Sequence, residues 1–313
     1  MIRLHVEPRK VTGWEQFKKE KPAFSIALDG YVRSPPAFDS AGPYANFDHH
    51  VGVDRLATRS SAAQVYVAVL QGLFKTFQKD GKPFANIYVN DPDQDVSLAV
   101  WLLRNSNLVL QVYNKPVAKR LARFVQLSDL FDTTGGMCHV DLHDSFLQKF
   151  AWVFEPYAKA RHEGKILEMD AKGMEDIIDT VGRRVSEYAQ GDAGRTEINA
   201  AYEVIGGGEG WSMVKELGPF ARCNMLLQNI NAFVSARESH DGRHVYSIGK
   251  ASEYIQFPVL ELYEHLNRVE GLTGNNSWGS SDTIGGSPRE GGSRLSPKEL
   301  EKTINDFLAQ RKK

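Results

Sequence analysis

The sequence predicts an α/β protein built as a parallel-sheet domain over residues 1–190, followed by a smaller α/β domain over 191–313. Three observations carry this reading. Strand-like and helix-like apolar runs alternate from about residue 25 to residue 150, as in a parallel sheet with helical crossovers. A charged stretch over 159–190 keeps its apolar residues at helical spacing and closes that block, and the polar GDAGRTEIN (191–199) has the composition of a linker. A second set of short strand-like runs follows. With 313 residues, 42% of them hydrophobic, the chain can bury the two cores this division needs.

In chain order, SIALDG (25–30) is an apolar run ending in Asp29 and reads as a strand. NFDHHV (46–51) comes next, and its adjacent His49 and His50 behind Asp48 are hard to explain as packing. Each buried imidazole needs polar partners, whereas a metal or phosphate site uses both rings at once. The plain alternative is an exposed turn with two solvated histidines. Ser60 and Ser61 then read as helix-start residues. NIYVNDPDQDVSLAVWLL (86–103) reads as strand, acidic turn and helix, because IYV is β-prone and VSLAVWLL suits a buried helix. Asp91, Asp93 and Asp95 alternate on that turn and would repel one another unless a cation were supplied. A solvated acidic loop is the alternative, and the apolar flanks argue against it. RFVQLSDLFDTTGG (123–136) is a further strand candidate, ending in Asp129 and Asp132. Sites in open parallel sheets form where strands end and helices begin, so these acidic ends could share one sheet edge.

Mixed histidine and carboxylate ligands suit Mn²⁺ or a similar divalent ion, with Mg²⁺ as the other option, and such a set suffices for two ions. Zinc held by thiolates is excluded, since Cys138 and Cys223 are the only cysteines and form no CxxC pair. CHVDLHD brings His139, Asp141, His143 and Asp144 together without an HExxH pattern and reads as a solvated polar segment. No GxSxG elbow is present, which leaves seryl chemistry unsupported.

The second block contains the strand-like YEVI, WSMV, AFVSA and HVYSI and a helix-like FARCNMLLQNI. GGGEG (206–210) lacks the Lys and Ser/Thr of a P-loop and reads as a hairpin turn. The segment 285–292 joins several glycines to Arg289, which suits either an anion clamp or a flexible surface loop. In SPKELEKTINDFLAQRKK, Ser296 as N-cap, Pro297 at the first helical position and a basic end predict a terminal helix.

A net charge of −1 is unlike a protein that holds long nucleic acid by phosphate neutralisation. Short single-stranded oligonucleotides or small phosphorylated substrates are the expected partners, and a homodimer is compatible with the sequence. The chain has no apolar run of membrane-spanning length, and MIRLHVEPRK lacks the apolar stretch of a secretory signal. A cytoplasmic protein with reduced cysteines and no membrane partner is expected.

The FDHH tetrapeptide, TRSSAAQVYVAVL after it and DPDQDVSLAVWLL resemble the DHH phosphoesterase superfamily. The DxDxD form is similar to its single-strand exonuclease branch, and GYVRSPPAFDSAGPYANFDHH to its melanocyte-proliferating-gene-like branch. GWSMVKEL, NAFVSARESHDGRHVYSIGK and WGSSDTIGGSPREGGSRLSP resemble the DHH-associated, substrate-binding domain. In that family DxD precedes DHH, so the order here implies a permuted arrangement of strands. IGGSPREGG stands where the family carries GGGH. The resemblance implies a divalent-metal-dependent phosphoesterase acting on a nucleotide-like phosphodiester or phosphate ester. It implies Asp29, His49, Asp91, Asp93, Asp95 and Asp129 as metal ligands, with Asp132 the alternative to Asp129 and Asp39 the alternative to Asp29. It further implies that His50 contacts the scissile phosphate or acts as acid while Asp48 orients a histidine. Arg289, with Gly285, Gly286 and Ser287, would hold the far end of the substrate across a cleft between the domains. The other reading is a non-catalytic nucleotide- or metal-binding sensor with a degenerate site, since Val89 stands where a histidine would precede the DxD turn.

Overall fold

The computed structural model describes residues 1–238, 242–274 and 276–311. Part of the stretch NAFVSARESHDGRHVYSIGK (239–241), quoted above for its resemblance, and the basic chain end (312–313) lie outside the described residues. The chain divides into two compact units, one formed by Met1–Thr133 with His143–Glu197, the other by Thr134–Leu142 with Ile198–Lys313. Among the described residues no helix is long and apolar enough to cross a membrane.

The first unit opens with β1 (Ile2–Val6), α1 (Trp14–Glu20), β2 (Ser25–Leu28), β3 (Ala37–Asp39) and β4 (Tyr44–Phe47). After these come α2 (Ser61–Leu70), α3 (Leu73–Thr76), the short pair β5 (Gln78–Lys79) and β6 (Lys82–Pro83), and β7 (Ala85–Val89). The rest is helical: α4 (Gln94–Arg104), α5 (Ser106–Val109), α6 (Lys115–Thr133), α7 (Ser145–His162) and α8 (Ala171–Gln190). The sheet order is β1-β7-β2-β4-β3, parallel throughout except where β3 runs against β4. β2 and β7 are buried at every residue, which is why SIAL and ANIYV read as continuous apolar runs rather than alternating ones. Leu28 pairs with Phe47 and Ala27 with Tyr88, so β2, β4 and β7 all end at one edge of the sheet.

Residues 123–133 correct the sequence reading, because they form the second half of α6 and not a strand. The buried set Val117, Leu121, Phe124, Val125 and Ser128 repeats every three to four residues and covers one helical face. Local apolar pairs such as Phe124-Val125 imitate a strand, but their register over the longer run is helical. Strand and helix alternation therefore stops at β7 instead of continuing to about residue 150.

The second unit comprises β8 (Tyr202–Gly208), β9 (Trp211–Glu216), α9 (Ala221–Leu227), β10 (Ala232–Glu238), β11 (His244–Lys250), α10 (Val259–Glu270), β12 (Gly279–Ser280), β13 (Ile284–Gly286) and α11 (Pro297–Arg311). Its sheet runs β12-β13-β11-β10-β9-β8 and is antiparallel except between β9 and β10. Trp211, Tyr246, Phe257, Leu262, Trp278 and Leu300 are among the residues of its core. GGGEG spans the end of β8 and the turn into β9. Ser296 and Glu299 form a reciprocal cap at the start of α11, with Glu299 Oε2 accepting from the Ser296 backbone at 2.8 Å. Cys138 and Cys223 are both buried, with their sulfurs 3.8 Å apart.

Glu270 holds this unit together from inside. Its side chain is 3% exposed and accepts from Trp278 Nε1 at 2.6 Å, Ser293 Oγ at 2.9 Å and Arg294 N at 2.8 Å. Truncation leaves these buried donors without an acceptor, at about 3 kcal/mol. Glu270→Ala should accordingly lower the urea midpoint, followed by tryptophan fluorescence, with little change in slope. An unchanged midpoint would mean that the network carries no stability.

Candidate metal centre

The shared end of β2, β4 and β7 gathers the acidic residues. As β2 ends, Asp29 takes a left-handed φ of 47° and Gly30 one of 75°, turning the chain sharply. That conformation is uncommon for a non-glycine residue and is held by the Asp29 N to Phe47 O hydrogen bond of 2.9 Å. β4 delivers Asp48, His49 and His50 directly after Phe47. β7 leads to Asp91, and Asp93 then caps α4 by accepting from Val96 N at 2.8 Å. Asp95 sits in the first turn of α4 and accepts from Ala62 N at 3.0 Å, while Ser61 Oγ donates to Asp29 at 3.0 Å. The last turn of α6 supplies Asp132.

His49 is fully buried, with Nε2 2.7 Å from Asp132 Oδ2 and 3.6 Å from Asp29 Oδ1. His50 places Nδ1 2.8 Å from Asp48 Oδ1 and 3.5 Å from Asp29 Oδ1. Asp48 Oδ1 also accepts from Gly30 N at 3.0 Å, which fixes it as the partner of His50. Two donor sets result, Asp29–His49–His50 and His49–Asp95–Asp132, and within each the ligand atoms lie within 4.8 Å of one another.

Buried His49 Nε2, Asp95 Oδ2 and Asp132 Oδ2 have no hydrogen-bond partner. The short His49 to Asp132 contact is thus an approach of two polar atoms without hydrogen-bond alignment. Leaving such atoms unpartnered is costly, and a cation between them removes that cost. Histidine nitrogen with carboxylate oxygen is a donor set suited to Mn²⁺ or Mg²⁺, so the residues present fit a divalent ion.

The charges agree with this. Burial first, then the charges of Asp29, Asp91, Asp132 and Asp95, push the Asp93 carboxyl well above its ordinary range. Burial, followed by Asp132 and Asp29, does the same to Asp95. Burial also opposes ionisation of Asp132, but His49, Arg55 and His50 outweigh it and hold that carboxyl below its ordinary value. For His50, burial disfavours the charged ring, yet Asp29 and the Asp48 hydrogen bond win and raise its pKa. The upward shifts of Asp93 and Asp95 are those of crowded, buried carboxylates, and Asp132 escapes them because His49 and Arg55 lie beside it.

Asp129 does not join the cluster, because its Oδ1 accepts from Ser60 N at 2.6 Å; Asp132, three residues on along α6, holds the place beside His49. Asp39 is engaged elsewhere, with Lys18 at 3.2 Å and Ala41 N at 2.9 Å. Gly285 and Gly286 lie within β13, where added Cβ atoms would meet Gly279 O at 2.5 Å and Tyr246 O at 2.4 Å, so close strand packing explains both glycines. Ser287 Oγ accepts from Tyr246 N at 3.0 Å, and Arg289 is exposed in the turn that follows. The 285–292 segment is thus not loop throughout, and Arg289 and Glu290 are its exposed charged groups. Of the CHVDLHD residues, His139 and Asp141 belong to the second unit, while Asp144 caps α7 through Phe146 N at 2.8 Å.

Three contributors were not foreseen. Arg55 is buried against Asp132, and Ser61 is both a helix-start residue and a partner of Asp29. Tyr157 of α7 is a buried hydroxyl whose ionisation is opposed chiefly by burial and further by the charges of Asp91 and Asp93, with Arg161 pulling the other way. None of these three roles has a local signature in the sequence, whereas Asp132 stood there as the alternative to Asp129. No family model and no curated protein matches this chain.

Proposed function

We propose that this protein is a divalent-metal-dependent phosphoesterase of DHH type, hydrolysing a phosphodiester or phosphate ester of a short oligonucleotide or small nucleotide. The observation that carries the reading is the convergence of unpartnered, buried His49 Nε2, Asp95 Oδ2 and Asp132 Oδ2 at the edge where three parallel strands end. Bound Mn²⁺ or Mg²⁺ would lower the pKa of an attacking water and neutralise charge on the phosphoryl oxygens.

The remaining work falls to side chains. Asp29, His49, Asp95 and Asp132 would hold the cations, with Asp91 and Asp93 on the same acidic turn. Asp48 fixes the His50 ring through Nδ1, leaving the opposite nitrogen to contact the phosphoryl group or give a proton to the leaving oxygen. Release of p-nitrophenol from bis-p-nitrophenyl phosphate with Mn²⁺, and none after chelation, is the expected result. Tight Mn²⁺ uptake without turnover would favour the second reading, a non-catalytic nucleotide- or metal-binding sensor. Apolar, fully buried Val89 ahead of the DxDxD turn is the observation behind that alternative.

Arg289 would bind the distal part of a substrate. Arg289→Ala should raise KM for an oligonucleotide about tenfold, the loss of one exposed charge-assisted contact, and leave the minimal phosphodiester nearly unaffected. Equal loss on both substrates, or on neither, would remove Arg289 from that role.

A further inference from the structure

We propose that Arg55 is a positioning residue that aims Asp132 at the cation shared with His49; this rests on the metal-dependent reading above. Arg55 is 5% exposed and lies in the turn between the DHH segment and α2. The turn is pre-formed: Asp54 Oδ1 accepts from Leu56 N at 3.0 Å and Ala57 N at 3.1 Å, and its carbonyl accepts from Thr58 N at 3.0 Å. Its exit is tied to α6 by Ser60 N donating to Asp129 Oδ1. Asp129 and Asp132 are three residues apart and share a side of α6, so one helical face fixes both ends of the turn.

Arg55 Nη2 donates to the Asp132 carbonyl at 2.8 Å and approaches Asp132 Oδ1 at 3.4 Å. One nitrogen therefore engages backbone and side chain of the same residue, and the other carboxylate oxygen, Oδ2, is left toward His49 Nε2. The bland account is a cap on one of the last carbonyls of α6. An exposed lysine or arginine would serve that purpose. Burial of the guanidinium is far more costly, and its Nε has no partner at all. A buried donor beside a cation-binding carboxylate is what holds a ligand in one orientation while the ion draws on it.

Mn²⁺ alone, titrated calorimetrically into the metal-free full chain, tests the idea. Arg55→Gln should weaken Mn²⁺ binding at the His49–Asp95–Asp132 set about 10- to 100-fold, and Arg55→Lys, which keeps charge without the fork, should fall between Gln and wild type. With bis-p-nitrophenyl phosphate the loss should disappear at high Mn²⁺, with KM unchanged. Repulsion between guanidinium and cation acts in the opposite direction, so equal or tighter Mn²⁺ binding by Arg55→Gln overturns the proposal. A lower melting temperature with unaltered Mn²⁺ affinity also overturns it and leaves a helix cap; a raised KM at saturating Mn²⁺ overturns it in favour of substrate contact. If Arg55→Gln does not fold, wild-type affinity in Arg55→Lys overturns it instead. A wild-type protein that takes up no Mn²⁺ fails the functional reading and this proposal together, whereas normal wild-type uptake with unaffected variants fails this proposal alone.

Discussion

His49→Ala and Asp95→Asn each lose Mn²⁺-dependent hydrolysis of bis-p-nitrophenyl phosphate by about 10³-fold or more, equivalent to several kcal/mol at 1.4 kcal/mol per tenfold. Both residues belong to the donor set that closes on Asp132, and each offers a buried atom without a partner. The two substitutions differ in what they leave behind. Asn retains an oxygen for Ala62 N at the start of α2, so the metal-free Asp95→Asn protein should melt at or above the wild-type temperature. Removing one carboxylate from a crowded set relieves repulsion. Initial rates at saturating Mn²⁺ and melting in chelator check the pair. Substantial residual turnover in both variants would locate the chemistry elsewhere.

Metal-free protein should melt at a higher temperature at pH 5 than at pH 8, and saturating Mn²⁺ should cancel or reverse that order. Asp93 and Asp95 have folded-state pKa values raised above the ordinary 3.8, chiefly by burial and then by neighbouring carboxylates. A raised acid binds its proton more tightly in the folded state, so its stabilisation is complete below 3.8 and is lost as pH rises through the raised value. His50, raised above 6.5 by Asp29 and Asp48 against the opposing effect of burial, contributes fully below 6.5 and loses that contribution as pH rises through its folded value. Asp132 runs the other way: its stabilisation is present above 3.8 and is lost only as pH falls through its depressed value, outside the pH 5 to 8 window. Glu7, lowered to about 2 by Lys10, Lys21 and Tyr31 against the effect of burial, likewise changes only on the acid side. A bound cation replaces the missing protons, and by mass action it stabilises most where the carboxylates are ionised. A metal-free profile that rises from pH 5 to pH 8 would contradict the charge assignment.

What the sequence disclosed and what it hid follow from how each residue reaches the site. Asp29 and the DxDxD turn follow the largely apolar, buried runs SIAL and NIYV, so the end of each run marks their place at the sheet edge, while the DHH segment announced itself by its paired histidines. Asp132 arrives on a helix whose paired apolar residues imitate a strand, and its neighbour Asp129, identical in type, is spent on Ser60 N. Arg55 could not be read, because no sequence pattern marks a charged residue for burial; only the fold shows that its turn faces α6. The association of Thr134–Leu142 with the second unit was equally hidden. Arg222 donating to Gly135 O at 2.8 Å and Cys223 facing Cys138 are long-range contacts with no local signature.

Diffraction from crystals soaked in Mn²⁺, recorded at the manganese absorption edge, tests the central claim most directly. The account predicts an anomalous peak between His49 Nε2, Asp95 and Asp132, with a second within reach of Asp29 and His50. Full occupancy of Mn²⁺ elsewhere on the chain, with no peak at His49, would contradict it.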